Sequence, residues 1–267
     1  MTNPLGRQVP HSDVFDPSLL FAIPRSQARV PLGIKDPPPF VGVDRWTCYE
    51  LAWLDPNGLP VLGIATLEYP ADSPMLVESK SLKLFLGSMN FTRFGGVVEV
   101  TAAIQDALRP LLGADPISVS IKTVSEWGSI EVTNPVGECI DEGSAEMHHT
   151  VRLKTGDEGV EETLHSNLLR SLCPVTGQPD WGTVMIRYRG RKIDRASLRG
   201  YLLMHRSYQG FHEECCERIF VDVAAACNPT DLWVGCSYTR RGGVDINPER
   251  WLPGSERVIL RGRLPRQ

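Results

Sequence analysis

The chain has 267 residues, of which 42% are hydrophobic and 22% charged, and its formal net charge is −4. This composition can bury a substantial core, and the slightly acidic balance excludes a general affinity of the surface for nucleic acid. No segment has the ~20 consecutive apolar residues of a membrane helix, and the N-terminus lacks the apolar stretch of a secretory signal.

The predicted elements begin after a proline-rich stretch, residues 1–45, which has no regular hydrophobic period. We expect this stretch to be an extended arm that lies on the domain and is not a core element. Two segments then match without gaps, residues 46–69 and residues 165–188, at a constant offset of 119. Each contains a Gly-x-Pro turn between two apolar runs, a pattern typical of a hairpin.

Helical periodicity follows in both segments. An apolar run at 82–86 and its counterpart at 201–204 are each followed by apolar residues with helical spacing on one face. These residues are Val97, Val100, Ile104, Ala107, Leu108 and Leu111 in the first copy, and Cys215, Ile219, Val223 and Cys227 in the second. Each copy ends in a predicted strand, at 117–121 and at 232–236.

The element order is therefore strand–strand–helix–strand, twice. This order predicts a duplicated α+β unit in which helices cover one face of an antiparallel sheet. We place an N-terminal arm at 1–45, a first unit at 46–130, a connecting segment at 131–160 and a second unit at 161–267. Chance similarity is the alternative, because Gly, Pro and Tyr are common residues.

The two copies differ in polar residues, and these differences are weakly explained by packing. The offset of 119 sets Cys173 against Leu54, Asp180 against Val61 and Glu78 against Ser197, and the later elements place His212 and Glu213 near Gly95 and Gly96. The second copy thus carries a thiol, a carboxylate and an imidazole that the first lacks. One site assembled from both copies would explain this division.

The segment SLCPVTGQPDWG holds Cys173 at a strand end and Asp180 beyond a Thr-Gly turn. Such a loop can bring thiol and carboxylate to one substrate. A thiolate is a strong nucleophile when its pKa is lowered or a base lies nearby, and a partly buried carboxyl group can donate a proton. A cysteine near a turn is by itself more often a packed, structural residue.

The segment ESKSLKLFL places Glu78, Lys80 and Lys83 at the start of an apolar run. The lysines are suited to phosphates, and Glu78 is suited to the amidine-like edge of a base. A solvated, charged strand edge is an equally good interpretation. In FHEECCERIF, His212 suits proton transfer and Glu213 suits the N–H donors of a guanine-type base. An acidic residue that stabilises a helix N-terminus is the alternative for Glu213.

The arginines and glycines of TRRGGVDINP (239–248) allow a backbone to approach an anion closely. No GxGxxG segment links a strand to a helix, so a nicotinamide cofactor is not expected on a Rossmann unit. Seven cysteines without a CxxC pair indicate free thiols in a reducing cytoplasm. The adjacent His148 and His149 lack a third zinc ligand at suitable spacing, and we expect no metal site.

Four ordered motifs resemble those of the 7-cyano-7-deazaguanine reductases: ESKSLKLFL, LCPVTGQPDWG, FHEECCERIF and YTRRGGVDINP. The resemblance extends over nearly the whole chain, including the style of the arm. It implies the long form of that family, in which two tandem tunnelling-fold (T-fold) units form the chain. It further implies a homodimer without zinc, a role in queuosine tRNA-modification biosynthesis, and no direct binding of nucleic acid or membrane.

The resemblance also implies roles for individual residues. Cys173 would attack the nitrile carbon to give a covalent thioimide, Asp180 would protonate the nitrogen, and His212 would assist catalysis. Two NADPH would then complete a four-electron reduction to the aminomethyl product. The substrate would be held by Val77, Glu78, Ser79, His212 and Glu213, and NADPH by Ser79, Lys80, Arg241 and Gly242. A thiol-dependent nitrile hydrolase and a non-catalytic purine-binding T-fold module are the alternatives.

Overall fold

The computed structural model describes residues 12–145, 152–260 and 262–267. Its strands are β1 (Ala22–Pro24), β2 (Val41–Leu54), β3 (Pro60–Pro70), β4 (Met75–Val77), β5 (Ser118–Thr123), β6 (Glu138–Cys139), β7 (Thr155–Ser166), β8 (Arg170–Leu172), β9 (Pro179–Ile193), β10 (Asp231–Tyr238) and β11 (Val244–Trp251). Its α-helices are α1 (Ser26–Arg29), α2 (Ser79–Gly87), α3 (Val97–Leu112), α4 (Arg195–Met204) and α5 (His212–Cys227). None of the helices in these ranges is long and apolar enough to cross a membrane.

The chain divides into two compact units. Of the described residues, the first unit contains 12–27, 44–131 and 240–246, and the second contains 28–43, 132–145, 152–239, 247–260 and 262–267. These boundaries differ from the predicted ones, because residues 28–43 belong to the second unit and residues 240–246 to the first. The four predicted segments remain predictions. The mixed α+β class with antiparallel pairing is confirmed.

In the first unit, β3 and β5 form an antiparallel pair from Gly63–Thr123 to Glu68–Ser118. Strand β1 pairs antiparallel with β4. The helix α3 buries one side chain per turn, at Val100, Ile104, Leu108 and Leu112, in the core cluster of this unit. Leu20 belongs to the same cluster, so the prediction that the N-terminal arm contributes no core element is wrong.

In the second unit, β9 pairs antiparallel with β7, β8 and β10. Strand β10 also pairs with β11 between Trp233–Trp251 and Gly235–Glu249, and β6 pairs parallel with β7. The predicted helical face of α5 is confirmed, because Cys215, Ile219, Val223 and Cys227 are all fully buried. The helix begins at His212 and continues for 16 residues.

The second predicted hairpin differs from the first. Strand β2 ends at Leu54, and the turn to β3 closes through the Asp55 N–H, which donates to the Leu59 carbonyl. In the second copy, one strand was expected before the turn, but β7 ends at Ser166 and the separate strand β8 precedes the turn. The extra segment between β7 and β9 carries Cys173.

Each copy has two helices where one was predicted. The additional helices, α2 and α4, both begin after an acidic N-cap. Glu78 accepts from the backbone N–H groups of Lys80 and Ser81, and Asp194 accepts from that of Ser197. The apolar run 82–86 is therefore helical, and the interpretation of ESKSLK as a strand edge is wrong.

These caps also correct the predicted correspondence. Glu78 is equivalent to Asp194, not to Ser197, which is instead the equivalent of Ser81. Both serine hydroxyls donate to the carbonyl of their own cap residue, at 2.7 Å and 2.9 Å. The serine at 197 is thus a capping residue that both copies share.

Helices α3 and α5 correspond end to end. Both have 16 residues and both end at a left-handed residue, Gly113 and Asn228, whose N–H donates to the carbonyl four residues earlier. Aligned in this way, His212 falls on Val97 and Glu213 on Val98. The predicted counterparts, Gly95 and Gly96, are two residues too early.

Candidate active site

The structure divides the predicted site residues between the units. Cys173, Asp180, His212 and Glu213 belong to the second unit, and all four side chains are nearly buried, with exposed fractions between 3% and 8%. Burying a polar side chain costs free energy unless the side chain is hydrogen-bonded or paired with an opposite charge. The other predicted residues, Val77, Glu78, Ser79, Lys80, Arg241 and Gly242, belong to the first unit.

Cys173 lies in the turn of a short hairpin formed by β8 and β9. Ser171 is paired with Asp180 in this hairpin, and the Cys173 N–H donates to the Gln178 carbonyl at 2.8 Å. Cys173 is two residues beyond Ser171, and side chains two apart in a strand point to the same face. Thiol and carboxylate are therefore diagonal neighbours across the hairpin.

The same hairpin is attached to the start of α5. Leu172 donates its N–H to the Tyr208 carbonyl at 2.8 Å and accepts from the Gly210 N–H at 3.1 Å. These bonds hold the residue before Cys173 against the loop that leads into His212. Backbone hydrogen bonds thus bring the thiol turn and the helix N-terminus together, although 39 residues separate Cys173 from His212 in the chain.

His212 is placed by two different contacts. Its Nε2 lies 3.4 Å from Asp180 Oδ2, and its ring is stacked on Tyr238, with centroids 3.8 Å apart and planes at 7°. The predicted group of Asp180 and His212 is therefore assembled in one place. Tyr238 was not predicted, although it directly precedes the TRRGG segment that was singled out.

Burial keeps several other thiols protonated. It raises the pKa of Cys215 to about 12, with a further upward contribution from the charges of Glu214 and Asp180. It likewise raises the pKa of Cys227 to about 12, and the pKa of Cys48 also rises, chiefly through burial. Since the thiolate is the nucleophilic form, these three cysteines are packing residues.

In the first unit, Glu78 is a buried helix cap. Its two carboxylate oxygens accept from Lys80 N at 2.8 Å and Ser81 N at 2.7 Å. A carboxylate can accept about four hydrogen bonds, so this capping leaves acceptor capacity for a ligand. Val77, the residue before it, is also buried. The cap fixes the position of the carboxylate with backbone N–H groups, which are rigid donors.

The segment Arg240–Gly243 lies beside α2. A Cβ placed on Gly242 would be 3.6 Å from Lys83 Nζ, and one on Gly243 would be 2.4 Å from the Glu50 carboxylate carbon. Both glycines have positive φ, 57° and 80°, which L side chains rarely adopt. The turn is therefore a backbone without side chains at Gly242 and Gly243, and it lies beside the Lys83 ammonium and the Glu50 carboxylate.

This arrangement fits the phosphates of a dinucleotide. Lys83 forms an ion pair with Glu50 at 2.9 Å, while Arg240 is stacked on Tyr49 with its guanidinium 3.3 Å from the ring centroid. Arg241 and Gly242 are exposed at the turn. Guanidinium groups beside a glycine turn are typical of phosphate-binding surfaces.

Within the described parts of the chain, no group of three or more His, Cys, Asp or Glu side chains is arranged to hold a metal ion. His148 and His149, which we considered as metal ligands from the sequence, lie outside the described residues.

Two family models match the chain. One, described as "Nitrile reductase, 7-cyano-7-deazaguanine-reductase N-term", matches residues 11–121, and the other, described as "QueF-like protein", matches 179–253. The second match begins at the start of β9, one residue before Asp180. It includes the α5 N-terminus and the TRRGG turn.

Relatives match over nearly their whole length. The NADPH-dependent 7-cyano-7-deazaguanine reductase of Desulfotalea psychrophila is 45% identical over 97% of this chain and 95% of its own. That of Chromobacterium violaceum is 48% identical over 93% and 91%. A solved archaeosine synthase described as QueF-like covers 39% of this chain and 99% of its own, at 21% identity and a TM-score of 0.32. On the near full-length matches, the chain belongs to the 7-cyano-7-deazaguanine reductase family of nitrile reductases.

Proposed function

We propose that the chain reduces the nitrile of 7-cyano-7-deazaguanine to an aminomethyl group with two NADPH, in queuosine biosynthesis, through a covalent adduct on Cys173. The observation that carries the proposal is the assembly of Cys173, Asp180, His212 and Glu213 around one hairpin and one helix N-terminus. Family membership supports the substrate and the cofactor. The assignment of roles to these residues is ours.

Cys173 is the proposed nucleophile. The thiol gives up its proton to the Asp180–His212 pair, its sulfur forms a bond to the nitrile carbon, and one π bond of the carbon–nitrogen triple bond breaks. The nitrogen takes up a proton, and a thioimide remains. This capture converts an unreactive nitrile into a C=N group that accepts electrons more readily once it is protonated. The bond also holds the substrate on the protein through the first reduction. The carbon–sulfur bond then breaks, the sulfur leaves as the Cys173 thiolate, and the imine that remains is reduced a second time to the aminomethyl product.

Asp180 is the proposed proton donor. When the sulfur adds, the nitrogen gains a lone pair and becomes basic, and a carboxyl group on the same face of the hairpin is suited to deliver its proton. His212 Nε2, 3.4 Å from Asp180 Oδ2, is suited to stabilise the carboxylate that remains and to return a proton to it. A second proton transfer is needed because the product carries two hydrogens on nitrogen.

Glu213 and Glu78 are proposed to hold the base. A deazaguanine has an exocyclic amine and a ring N–H, which are donors that a buried carboxylate accepts well. Glu213 follows His212 in the first turn of α5, and Glu78 is fixed as the cap of α2. Val77 and Ser79 flank that cap, and we assign them to the substrate as well.

NADPH, when bound, supplies the hydrides of the four-electron reduction. Ser79, Lys80, Arg241 and Gly242 are the residues we assign to it, because the exposed turn at Gly242 lies beside the cationic face of α2. Their task is to bind phosphates and to let the cofactor leave between the two reduction steps. A site at an exposed turn allows this exchange more readily than a deep crevice.

We further infer that each copy is a T-fold unit and that the protein acts as a homodimer. The end-to-end correspondence of α3 with α5 and of the caps of α2 and α4 supports a duplicated unit. Light scattering of the purified chain measures the dimer directly.

The reaction is tested by mixing the protein with 7-cyano-7-deazaguanine and NADPH and following absorbance at the wavelength of the reduced cofactor. We expect two NADPH oxidised per aminomethyl product formed. Ammonia release that does not depend on NADPH would instead identify a nitrile hydrolase. Tight binding of the nitrile without turnover or adduct would identify a purine-binding module.

The adduct is tested by intact mass after incubation with the nitrile alone. We expect the parent to gain the mass of the substrate, and Cys173→Ala to lose both the adduct and turnover while still binding the nitrile in calorimetry. Cys139→Ala is the matched control, because Cys139 is an exposed thiol in the same unit. It should behave like the parent. An adduct that persists in Cys173→Ala would assign the chemistry to another thiol.

A further inference from the structure

His212 is held in an unusual way for a buried histidine. Among the described residues, its Nδ1 is buried without a hydrogen-bond partner. Its Nε2 is 3.4 Å from Asp180 Oδ2, which is longer than a good hydrogen bond. By contrast, the buried His205 places its Nδ1 3.1 Å from the Tyr201 carbonyl. Within the described parts of the chain, the His212 ring thus lacks a short hydrogen bond like the one that His205 has.

The Tyr238 ring lies flat against the His212 ring. The two rings are nearly parallel, at 7°, with centroids 3.8 Å apart, and Tyr238 has no exposed surface. The terminal torsion of a histidine is broad, so a flat neighbour against one face restricts it strongly. A side chain without a planar face would leave this torsion free.

Gly182 provides the space for the Tyr238 ring. Gly182 is paired with Tyr238 in the β9–β10 register. A Cβ on Gly182 would lie 3.1 Å from Tyr238 Cδ1 and 3.2 Å from Cε1. The tyrosine is thus enclosed between the backbone two residues after Asp180 and the ring of His212. Residues 180–182 of β9 therefore include the Asp180 carboxyl group and also contact the Tyr238 ring that is stacked on His212.

We propose that Tyr238 is a positioning residue that sets the plane of His212 for the proton transfers at the Cys173 adduct. This role rests on the proposed function, and it needs the aromatic face of Tyr238 but not its hydroxyl group. Tyr238→Phe keeps that face, and Tyr238→Leu removes it while the side chain stays apolar.

The kinetic test compares these two variants. In Tyr238→Leu we expect kcat to fall at least about tenfold, because small displacements of a catalytic group are costly, while the KM for NADPH stays within about twofold. Tyr238→Phe should restore at least half of the parent kcat. Phe220→Leu is the matched control. It removes a buried ring from α5 two turns away from His212, and its kcat should equal that of the parent.

The double variant separates positioning from general damage. In a His212→Asn background, Tyr238→Leu should cause no further loss of kcat. A further loss as large as that in the parent overturns the proposal, and so does a Phe variant that is as slow as the Leu variant.

A measurement without substrate distinguishes failure of this proposal from failure of the proposed function. The Tyr238 ring current should shift the ring-proton signals of His212, assigned by their absence in His212→Asn. The shift should persist in Tyr238→Phe and vanish in Tyr238→Leu. If the parent has no nitrile-dependent oxidation of NADPH, the proposed function fails and this spectrum alone decides. Unchanged His212 signals in Tyr238→Leu then overturn the positioning role.

Discussion

The first turns of α3 and α5 have equivalent positions in two copies of one unit, yet they are chemically opposite. Position 98 in the first is a valine with 84% of its surface exposed, whereas the equivalent position 213 in the second is a glutamate with 3% exposed. Further along, both helices bury an apolar or thiol side chain at each fourth residue and end at a left-handed residue. The positions that the two helices share form the buried face and the helix end. The position that differs carries a polar side chain in the second copy, where it is available for binding or catalysis.

This comparison separates structural from functional residues more sharply than burial alone. A buried glutamate and an exposed valine are each the opposite of what the hydrophobic effect favours. Since the first copy folds with Val97 and Val98 at this turn, the helix itself does not require His212 or Glu213. The same reasoning applies to Asp180, which occupies the second residue of β9 where β3 has Val61.

Replacing Glu213 by the valine of the first copy has the largest expected effect on activity. In Glu213→Val we expect kcat/KM for the nitrile to fall on the order of 1,000-fold, because the donors of the base lose a buried acceptor. The variant should keep the circular dichroism spectrum of the parent, since valine is compatible with the equivalent turn of α3. Val98→Glu is the mirror control at an exposed position and should leave turnover unchanged. Equal losses in both variants would contradict the division of roles.

Asp180→Asn tests the second difference between the copies. Asparagine has the same shape but cannot deliver a proton from oxygen, so we expect kcat to fall by about 100-fold or somewhat more. Binding of the nitrile, measured by calorimetry in the absence of NADPH, should change far less. Val61→Asn, at the equivalent position of β3, controls for an amide at the start of this strand. A loss of affinity as large as the loss of kcat would count against the proton-donor role.

Much of the fold was predictable because hydrophobic spacing and turn residues indicate helices and strands from neighbouring residues alone. The helical spacing of Cys215, Ile219, Val223 and Cys227 identified the buried face of α5, and the Gly-x-Pro turn identified the start of β3. The correspondence between copies was harder to predict. An offset of 119 fits the hairpins, whereas the caps of α2 and α4 differ by 116, so insertions and deletions change the offset between elements. Glu78 was for this reason set against Ser197 and not against Asp194.

The site was predictable only as far as its residues lie in recognisable motifs. Cys173 and Asp180 share one segment, so their proximity follows from a short turn. Their link to His212 depends on hydrogen bonds from Leu172 to Tyr208 and Gly210, and no local pattern reports a contact between such distant segments. Tyr238 was missed for the same reason. Its stacking partner lies 26 residues earlier in the chain.

His205 gives a further difference between the copies, this time in stability. Aligning the caps of α2 and α4 sets His205 against Met89, and both are buried. Burial lowers the pKa of His205 to about 4 from 6.5. The native imidazole thus stays neutral while the unfolded chain takes up a proton below pH 6.5. Stability is full above that pH and falls as the pH decreases towards 4, by about 3 kcal/mol at 1.36 kcal/mol per pKa unit.

His205→Met installs the residue of the first copy and should remove this contribution. Denaturant unfolding at a series of pH values between 7 and 4 measures it as the difference in slope between parent and variant. We expect the variant to lose about 3 kcal/mol less than the parent over that range. Identical slopes would show that His205 is protonated in the native state.

The smallest effect concerns the left-handed residues that end α3 and α5. Gly113 has a φ of 61° and Asn228 a φ of 45°, a region that costs most L residues about 1–2 kcal/mol but glycine almost nothing. Gly113→Ala should therefore lower the free energy of unfolding by about 1–2 kcal/mol, and the contact of a new Cβ with Pro74, at 3.0 Å, adds to the cost. Asn228→Gly should raise it by a few tenths of a kcal/mol, because asparagine tolerates this conformation less well than glycine. We expect these opposite signs in urea unfolding, with turnover unchanged in both variants. They would show that the second copy keeps the helix end of the first copy with a slightly less favourable residue.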